Sequence, residues 1–377
     1  MKKNISILLT ALFLAASLSA CSQTSASETA ASGTGNSGTE APGAAAENNA
    51  AAENEENTAG SSETSAAASG SAQTGEPYRV SIVQPMSHTS LDQIRDTIIA
   101  SLEASGKNIE ITTENANNDT SALATILNNV RSQGTDLVIP IATSTAQSAK
   151  TVFDGDSTPI VFAAVSDPAA AGLTGDDCQN ITGVSNNIPA AEIVKLIFNF
   201  QPDCETIGFL YTSSETNSVS TINAAKAYCD EAGIAYEEAA IANLSELQTA
   251  AESLIADGVD ALYTGNDNAI ASAMATYTDT AYAAGIPIYC GADSMVADGG
   301  FATVGVNYVQ LGEQVADMAL KIMDGAAPSE LPYETLSNYA QYVNLQAAGR
   351  FGADFPESAY EGYEVLVEAD GTSHFNQ

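Results

Sequence analysis

The residues best placed to do chemistry are short polar clusters that each follow an apolar run. In the first half these are Ser87-His88-Thr89-Ser90, Thr143-Ser144-Thr145 and Ser166-Asp167. In the second half they are Glu215-Thr216-Asn217-Ser218, Asn266-Asp267-Asn268 and Asp293-Ser294. One set is rich in hydroxyls before helical patterns, where free backbone N–H groups and the helix dipole favour an anion such as a carboxylate. The other carries Asp267 and Asp293 with Glu215 nearby, which favour a cation such as an ammonium. A cleft with one wall of each kind suits a zwitterion, and an α-amino acid is the simplest such ligand. Each residue also has a plainer reading, since Ser and Thr before helices are usually caps and Asp and Asn after strands usually form turns. Their joint placement at aligned positions carries the reading.

The elements that hold these clusters are written twice. Asp119 to Thr143 aligns without gaps on Asn243 to Asp267, placing Ser121 opposite Ser245, Leu123 opposite Leu247, Gly134 opposite Gly258 and Asp136 opposite Asp260. The match extends to Val80–Pro85 with Ile207–Thr212, to Thr158–Pro168 with Ile286–Ser294, and to the following segments, with Gly183 opposite Gly305. Two copies of one unit predict two similar lobes with a cleft between them. Where the copies differ, Thr143 takes the place of Asp267.

Strands are expected at Val80 to Val83, Ile109 to Thr112, Leu137 to Ile141 and Ile160 to Ala164. The second copy predicts them at Ile207 to Tyr211, Ala235 to Glu238, Ala261 to Thr264 and Ile288 to Cys290. Helical patterns at Leu91 to Ser105 and Ser121 to Gln133 stop at Gly106 and Gly134. Alternating strands and helices predict the α/β class, a doubly wound parallel sheet in each lobe, with ligands outside the carboxyl ends of the strands.

The N-terminus reads as an export signal. Lys2 and Lys3 precede an apolar run from Ile5 to Ala16, too short to span a bilayer, and Leu18-Ser19-Ala20-Cys21 closes it. Leu-Ser-Ala-Cys resembles the bacterial lipobox, which implies a lipid on Cys21 and a mature chain beginning there. From Ser22 to Glu76 there is no Leu, Ile, Val or aromatic residue. Such a stretch cannot offset its ordering entropy and is expected to be a flexible spacer. The organisation expected is a signal peptide at 1–20, the lipidated cysteine and linker at 21–76, and about 300 folded residues.

The chain carries 47 acidic and 11 basic side chains, and the part after residue 76 keeps most of the net charge of −36. This balance argues against binding nucleic acid or an anionic membrane surface through a basic patch. Four further cysteines, Cys178, Cys204, Cys229 and Cys290, lack Cys-x-x-Cys spacing, and His88 and His374 are the two histidines. No metal-ligand cluster is visible and no cofactor is expected. Enzyme signatures such as a GxSxG elbow or a phosphate-binding loop are absent, so an enzyme acting on a small amino or keto acid is the weaker reading. Sugar sites lean on aromatic platforms, and the chain has no Trp. Tyr277, Tyr282, Tyr308, Tyr339 and Tyr342 read mostly as core or surface packing.

Several strings together resemble the substrate-binding lipoproteins of bacterial ABC transporters associated with tryptophan, tyrosine or related amino acids. They are IVFAAVSDPAAAGL, NITGVSNNIP, IGFLYTSSETNSVSTI, YTGNDNAIASA, the GADS segment and YVNLQAAGRFGADFPES, covering roughly Tyr78 to Gly371. The resemblance implies a type I periplasmic-binding-protein fold, two lobes joined by three crossovers near Gly183 to Asn187, Thr303 to Asn307 and Tyr339 to Asn344. Lobe 1 would be 77–184 with 306–338, lobe 2 would be 185–305 with 339–377, and Gly183 and Gly305 would serve as hinge entries. It implies a monomer that captures an amino acid, aromatic or otherwise branched-chain, and hands it to a membrane permease. A ligand-sensing module, or a sugar- or nucleoside-binding relative, would share the fold. Implied contacts are Thr143 and Ser144 with the carboxylate, Ser166 and Asp167 at the cleft, Asn217 and Ser218, and Asp267 and Asp293 toward the ammonium. From the strand-end loops themselves, Asn268, and His88 and Thr89 in the first loop, are added as candidate ligand contacts, His88 stacking on a ligand or sitting at the rim. This chain departs from the family at Ser87-His88-Thr89-Ser90, where a Pro-Ala-Leu-Asp-like string is usual, and at Gly265-Asn266, where Pro-Thr is usual. Those changes bear on side-chain selectivity more than on recognition of the amino-acid backbone.

Overall fold

The structure is a computed structural model that describes residues 75–336, 339–352 and 357–375. The export signal, Cys21 and the spacer up to residue 74 lie outside the described residues. In chain order the first part runs β1 (Tyr78–Gln84), α1 (Thr89–Ala104), β2 (Ile109–Asn115), α2 (Thr120–Gln133), β3 (Leu137–Pro140), α3 (Thr143–Val152), β4 (Ile160–Ala163), β5 (Ile181–Ser185) and α4 (Ala190–Phe200). The second part runs β6 (Thr206–Thr212), α5 (Thr216–Ala232), β7 (Ala235–Ile241), α6 (Leu247–Ala256), β8 (Ala261–Thr264), α7 (Asn268–Ala271), α8 (Met274–Ala284), β9 (Ile288–Cys290), α9 (Asp293–Ala297), β10 (Ala302–Val306) and α10 (Tyr308–Met323). The chain closes with β11 (Glu334–Thr335), β12 (Tyr339–Asn344), α11 (Leu345–Arg350) and β13 (Glu364–Val367).

The strands form two sheets, ordered β11-β5-β4-β3-β1-β2 and β13-β12-β10-β9-β8-β6-β7. Strip the edges and each sheet has the same parallel order, its first strand between its second and third. The repeat read from sequence is thus a repeat of topology. All four residues of β3, β4 and β8 are buried, as strands covered on both faces must be. α10 follows a strand of the second sheet yet packs on α1 beside the first, with Gly312 against Thr97 and the Ile94 carbonyl. A Cβ at Gly312 would sit 2.7 Å from Thr97 Cβ, so this helix pair closes to a distance that only glycine allows.

The two copies are also anchored alike. Asp136 accepts the Arg79 amide at 2.8 Å, and Asp260 accepts the Glu205 and Thr206 amides at 2.7 and 2.9 Å. Each aspartate therefore ties the loop before its lobe's third strand to the start of the first. Asp119 caps α2 by accepting the Ser121 and Ala122 amides, and Asn243 accepts that of Ser245. Gly134 and Gly258 have left-handed φ of 77° and 88°.

Three details differ from expectation. The third crossover falls just before Tyr339, between β11 of the first sheet and β12 of the second, and Tyr339–Asn344 is β12 itself, antiparallel to β10 with Thr303 opposite Tyr342. Gly183 and Gly305 lie inside β5 and β10 rather than at hinges. At Gly183 the reason is close packing, since a Cβ would run into the carbonyl oxygen and ring of Phe162 on the neighbouring strand. Tyr308 is not plain packing, as it faces the cavity described next.

Candidate functional site

The carboxyl ends of the strands in the two sheets face each other across a narrow, partly open cavity. The first sheet supplies His88, Ser90 and Leu91 after β1 and Ala164 and Ser166 after β4. The second supplies Asn217 after β6, Asn266, Asp267, Asn268 and Ala271 after β8, and Ala292 and Met295 after β9. Asn186 and Tyr308, at two passages between the sheets, complete the lining. Among the lining residues there is no Lys or Arg.

The backbone of the first sheet is strained where it meets this site. Ala142 has φ 71° and ψ 160°, and Ala164 has φ 57°. Both are conformations that side-chain-bearing residues avoid, at a cost of about 1 to 3 kcal/mol each. Both are held by the sheet, the Ala142 amide bonding the Ala163 carbonyl at 2.9 Å and the Ala164 amide the Val184 carbonyl at 3.0 Å. Strain of this kind clusters at ligand clamps and active sites, and Ala164 itself lines the cavity.

A chain of amides and hydroxyls joins the two sides. Ser166 Oγ donates to Asn186 Oδ1 at 3.1 Å, and Asn266 Nδ2 reaches Ser166 Oγ at 3.4 Å from the opposite side. Asn217 Nδ2 donates to the Asn266 carbonyl and to Glu215 Oε2. His88 Nε2 lies 3.2 Å from Asn268 Oδ1, Ser90 Oγ meets Ser294 Oγ, and Ser220 Oγ donates to Asp167 Oδ2 at 3.1 Å. These contacts bring the loops of the two sheets together over the cavity.

Three acidic side chains, Asp267, Glu215 and Asp293, stand at or behind the second wall. Asp267 caps α7, one oxygen accepting from the Ile270 amide at 2.9 Å and Thr212 Oγ1 at 3.0 Å, the other from the Thr212 amide at 2.6 Å and Ser218 Oγ. Burial raises its pKa against those donors. Glu215 accepts from Asn217 Nδ2, from the Asn268 amide and Nδ2, and from the Ala269 amide. Burial, and then the neighbouring Asp267 charge, push it up to about 7. Asp293 is likewise pushed up to about 7 by burial, opposed by the Ser294 amide, and its charge is felt at Tyr308. The second wall therefore holds latent negative charge that a cation entering the cavity would draw out.

Of the residues singled out in the sequence, the structure brings His88, Ser166, Asn217, Asp267 and Asn268 to the cavity. Ser144 lines an adjoining hollow with Glu215 and Asn268. Thr143 is buried at the start of α3 with its hydroxyl unpartnered, and Ser218 lies beneath the wall bonded to Asp267. Asp167 sits at the seam between the lobes, and Asp293 is buried between Ala292 and the α9 backbone. Thr89 lines a groove along α1 and α10 with Asp92 and Glu313. Sequence reasoning missed Ala164, Asn186 and Tyr308. A positive φ leaves no mark at an alanine, and Asn186 and Tyr308 reach the cavity through the passages between sheets rather than from strand-end loops. Asn266 belongs to the Asn266-Asp267-Asn268 cluster, where the sequence assigns a ligand contact to its two neighbours and none to Asn266 itself.

Two doubly wound lobes facing each other across a polar cavity define the type I periplasmic-binding-protein fold. Residues 79–370 match the family described as ABC transporter substrate binding protein, and the chain belongs to that family. It is 29% identical over 272 residues to a tyrosine-binding protein of Clostridioides difficile, covering 70% of this chain and 78% of that one. It is 32% identical to the ABC domain from Streptococcus pneumonia solved in complex with L-Trp, with a TM-score of 0.72, covering 77% of this chain and 99% of that one. The ligand-free, open structure of a Clostridium difficile substrate binding protein with adhesive properties is 30% identical with a TM-score of 0.59, at the same coverage.

Proposed function

We propose that this protein captures an α-amino acid with an aromatic side chain outside the cell and delivers it to a membrane permease for import. The observation that carries the reading is the asymmetry of the cavity. One wall offers hydroxyls and strained backbone, the other is backed by Asp267, Glu215 and Asp293, and no basic residue lines it. A ligand held there has its carboxylate met by neutral donors and its ammonium by buried carboxylates. A phosphorylated or dicarboxylic ligand would find no countercharge. The tyrosine-binding relative and the relative solved with L-Trp support an aromatic side chain. Leu91, Ala271, Ala292 and Met295 give that side chain an apolar lining. In this reading Cys21 carries a lipid, and the spacer lets the binding domain range above the membrane as a monomer.

The zwitterion requirement is tested by thermal shift with L-tyrosine, tyramine, which lacks the carboxylate, and 3-(4-hydroxyphenyl)propionate, which lacks the ammonium. The intact amino acid should stabilise the fold and neither fragment should. An equal shift with either fragment would refute the recognition scheme. Replacing Cys21 by Ser should release the protein from the membrane fraction, and retained association would contradict the anchor.

A further inference from the structure

His88 carries an unused hydrogen-bonding atom whose chemical character its surroundings determine. The residue precedes α1 in extended backbone, φ −156° and ψ 164°, and makes no side-chain cap to the helix. Its Nε2 faces Asn268 Oδ1 at 3.2 Å, while its Nδ1 is buried at the cavity lining with no partner.

The identity of the Asn268 atom is decided one bond further away. Asn268 Nδ2 donates to Glu215 Oε2 at 2.7 Å. Glu215 also receives the Asn268 and Ala269 amides and Asn217 Nδ2, so its oxygens face N–H donors throughout. With Glu215 ionised, a flipped Asn268 would set oxygen against oxygen, and its carbonyl therefore points at His88. An amide oxygen only accepts, so Nε2 must carry the imidazole proton. Burial disfavours the charged ring. What remains at Nδ1 is a lone pair, a buried acceptor with nothing to accept, which costs free energy until a donor arrives.

We propose that Nδ1 of His88 accepts a hydrogen bond from an N–H or O–H on the ligand's side chain, so that His88 selects phenol- or indole-bearing amino acids over phenyl or aliphatic ones. The proposal rests on the amino-acid reading given above. The ligand ammonium is not the partner, because Asp267 lines the same cavity and a carboxylate outbids a neutral imidazole for a cation. The histidine lies in the first loop, at the cavity lining.

The test is calorimetric titration of the purified protein with L-tyrosine, L-tryptophan, L-phenylalanine and L-leucine. The unsubstituted protein should bind tyrosine or tryptophan at least about tenfold tighter than phenylalanine, a difference of about 1.4 kcal/mol. His88→Leu should remove that preference while changing phenylalanine affinity less than about threefold. His88→Asn, whose amide oxygen stands near the Nδ1 position, should restore part of it. Phenylalanine bound as tightly as both tyrosine and tryptophan, or an equal loss for all ligands in His88→Leu, would overturn the proposal while leaving amino-acid capture intact. No binding of any amino acid would overturn both. Because His374 is the one other histidine, ¹⁵N spectra of the imidazoles give an independent readout. They should show the Nε2–H tautomer for His88 in the free protein, and an Nδ1–H tautomer would contradict the proposal.

Discussion

His88 Nε2 and Asn268 Oδ1 meet at 3.2 Å from opposite sides of the cavity, one residue from each sheet. Behind that contact Asn268 is fixed by Glu215, and Glu215 shares its buried setting with Asp267. The wall nearest the ligand is thus coupled to the carboxylates beneath it. Their replacement should be felt in folding as well as in binding.

Asp267 is the clearest case. Its two oxygens satisfy two backbone amides and two hydroxyls while capping α7. Asp267→Ala strands those buried donors and removes the cap, at an expected cost of about 2 to 4 kcal/mol in folding before any ligand is considered. Urea unfolding of the ligand-free variant checks this, and unchanged stability would mean that the aspartate serves the ligand alone.

The two paired glycines should behave differently. Gly183→Ala forces a methyl into the Phe162 carbonyl and ring, whereas the nearest atoms to a Cβ at Gly305 stand at 3.6 Å. Gly183→Ala is expected to destabilise by about 1 to 3 kcal/mol or more, and Gly305→Ala by well under 1 kcal/mol. Thermal unfolding of the two variants side by side decides it, and equal effects would contradict the packing account.

Buried acids set an unusual pH dependence. Asp293 and Glu215 are pushed up to about 7 by burial, so the folded chain holds protons there that the unfolded chain releases near pH 4. The folded state then binds more protons between about pH 4 and 7, and stability falls as pH rises through that window. For Asp293 the shift from 3.8 corresponds to something on the order of 4 kcal/mol. His88 works the other way, since burial lowers its pKa and costs stability below about pH 6.5. The ligand-free protein should gain melting temperature between pH 8 and pH 6, and Asp293→Asn should flatten that slope. A slope unchanged in the variant would remove Asp293 as its source.

Ligand capture should release protons. An ammonium beside these acids favours their ionised forms, so binding near pH 6.5 should expel protons and affinity should fall as pH drops below 7. Titrations in buffers of different ionisation enthalpy measure the release. Heats independent of the buffer would place the ammonium away from the carboxylates.

Much of the scaffold was legible because the chain repeats itself where backbone geometry is demanding. Asp136 and Asp260, Gly134 and Gly258, and Asp119 and Asn243 occupy equivalent structural roles, and each role needs a particular residue type. The site was legible only in part. Ser166, Asn217, Asp267 and Asn268 follow strands, so the rule that ligands sit at strand ends finds them. Asn186 and Tyr308 depend on how three passages bring two sheets together, and Ala142 and Ala164 on backbone strain. Neither property is local in sequence. The four donors that hold Asp267 come from Thr212, Ser218 and Ile270, too dispersed for spacing to disclose.

Calorimetric titration of residues 77–377 with the twenty amino acids tests the central claim most directly. The account expects saturable one-to-one binding, micromolar or tighter, for tyrosine or tryptophan. If no amino acid bound more tightly than about millimolar, the protein would not be an amino-acid capture protein.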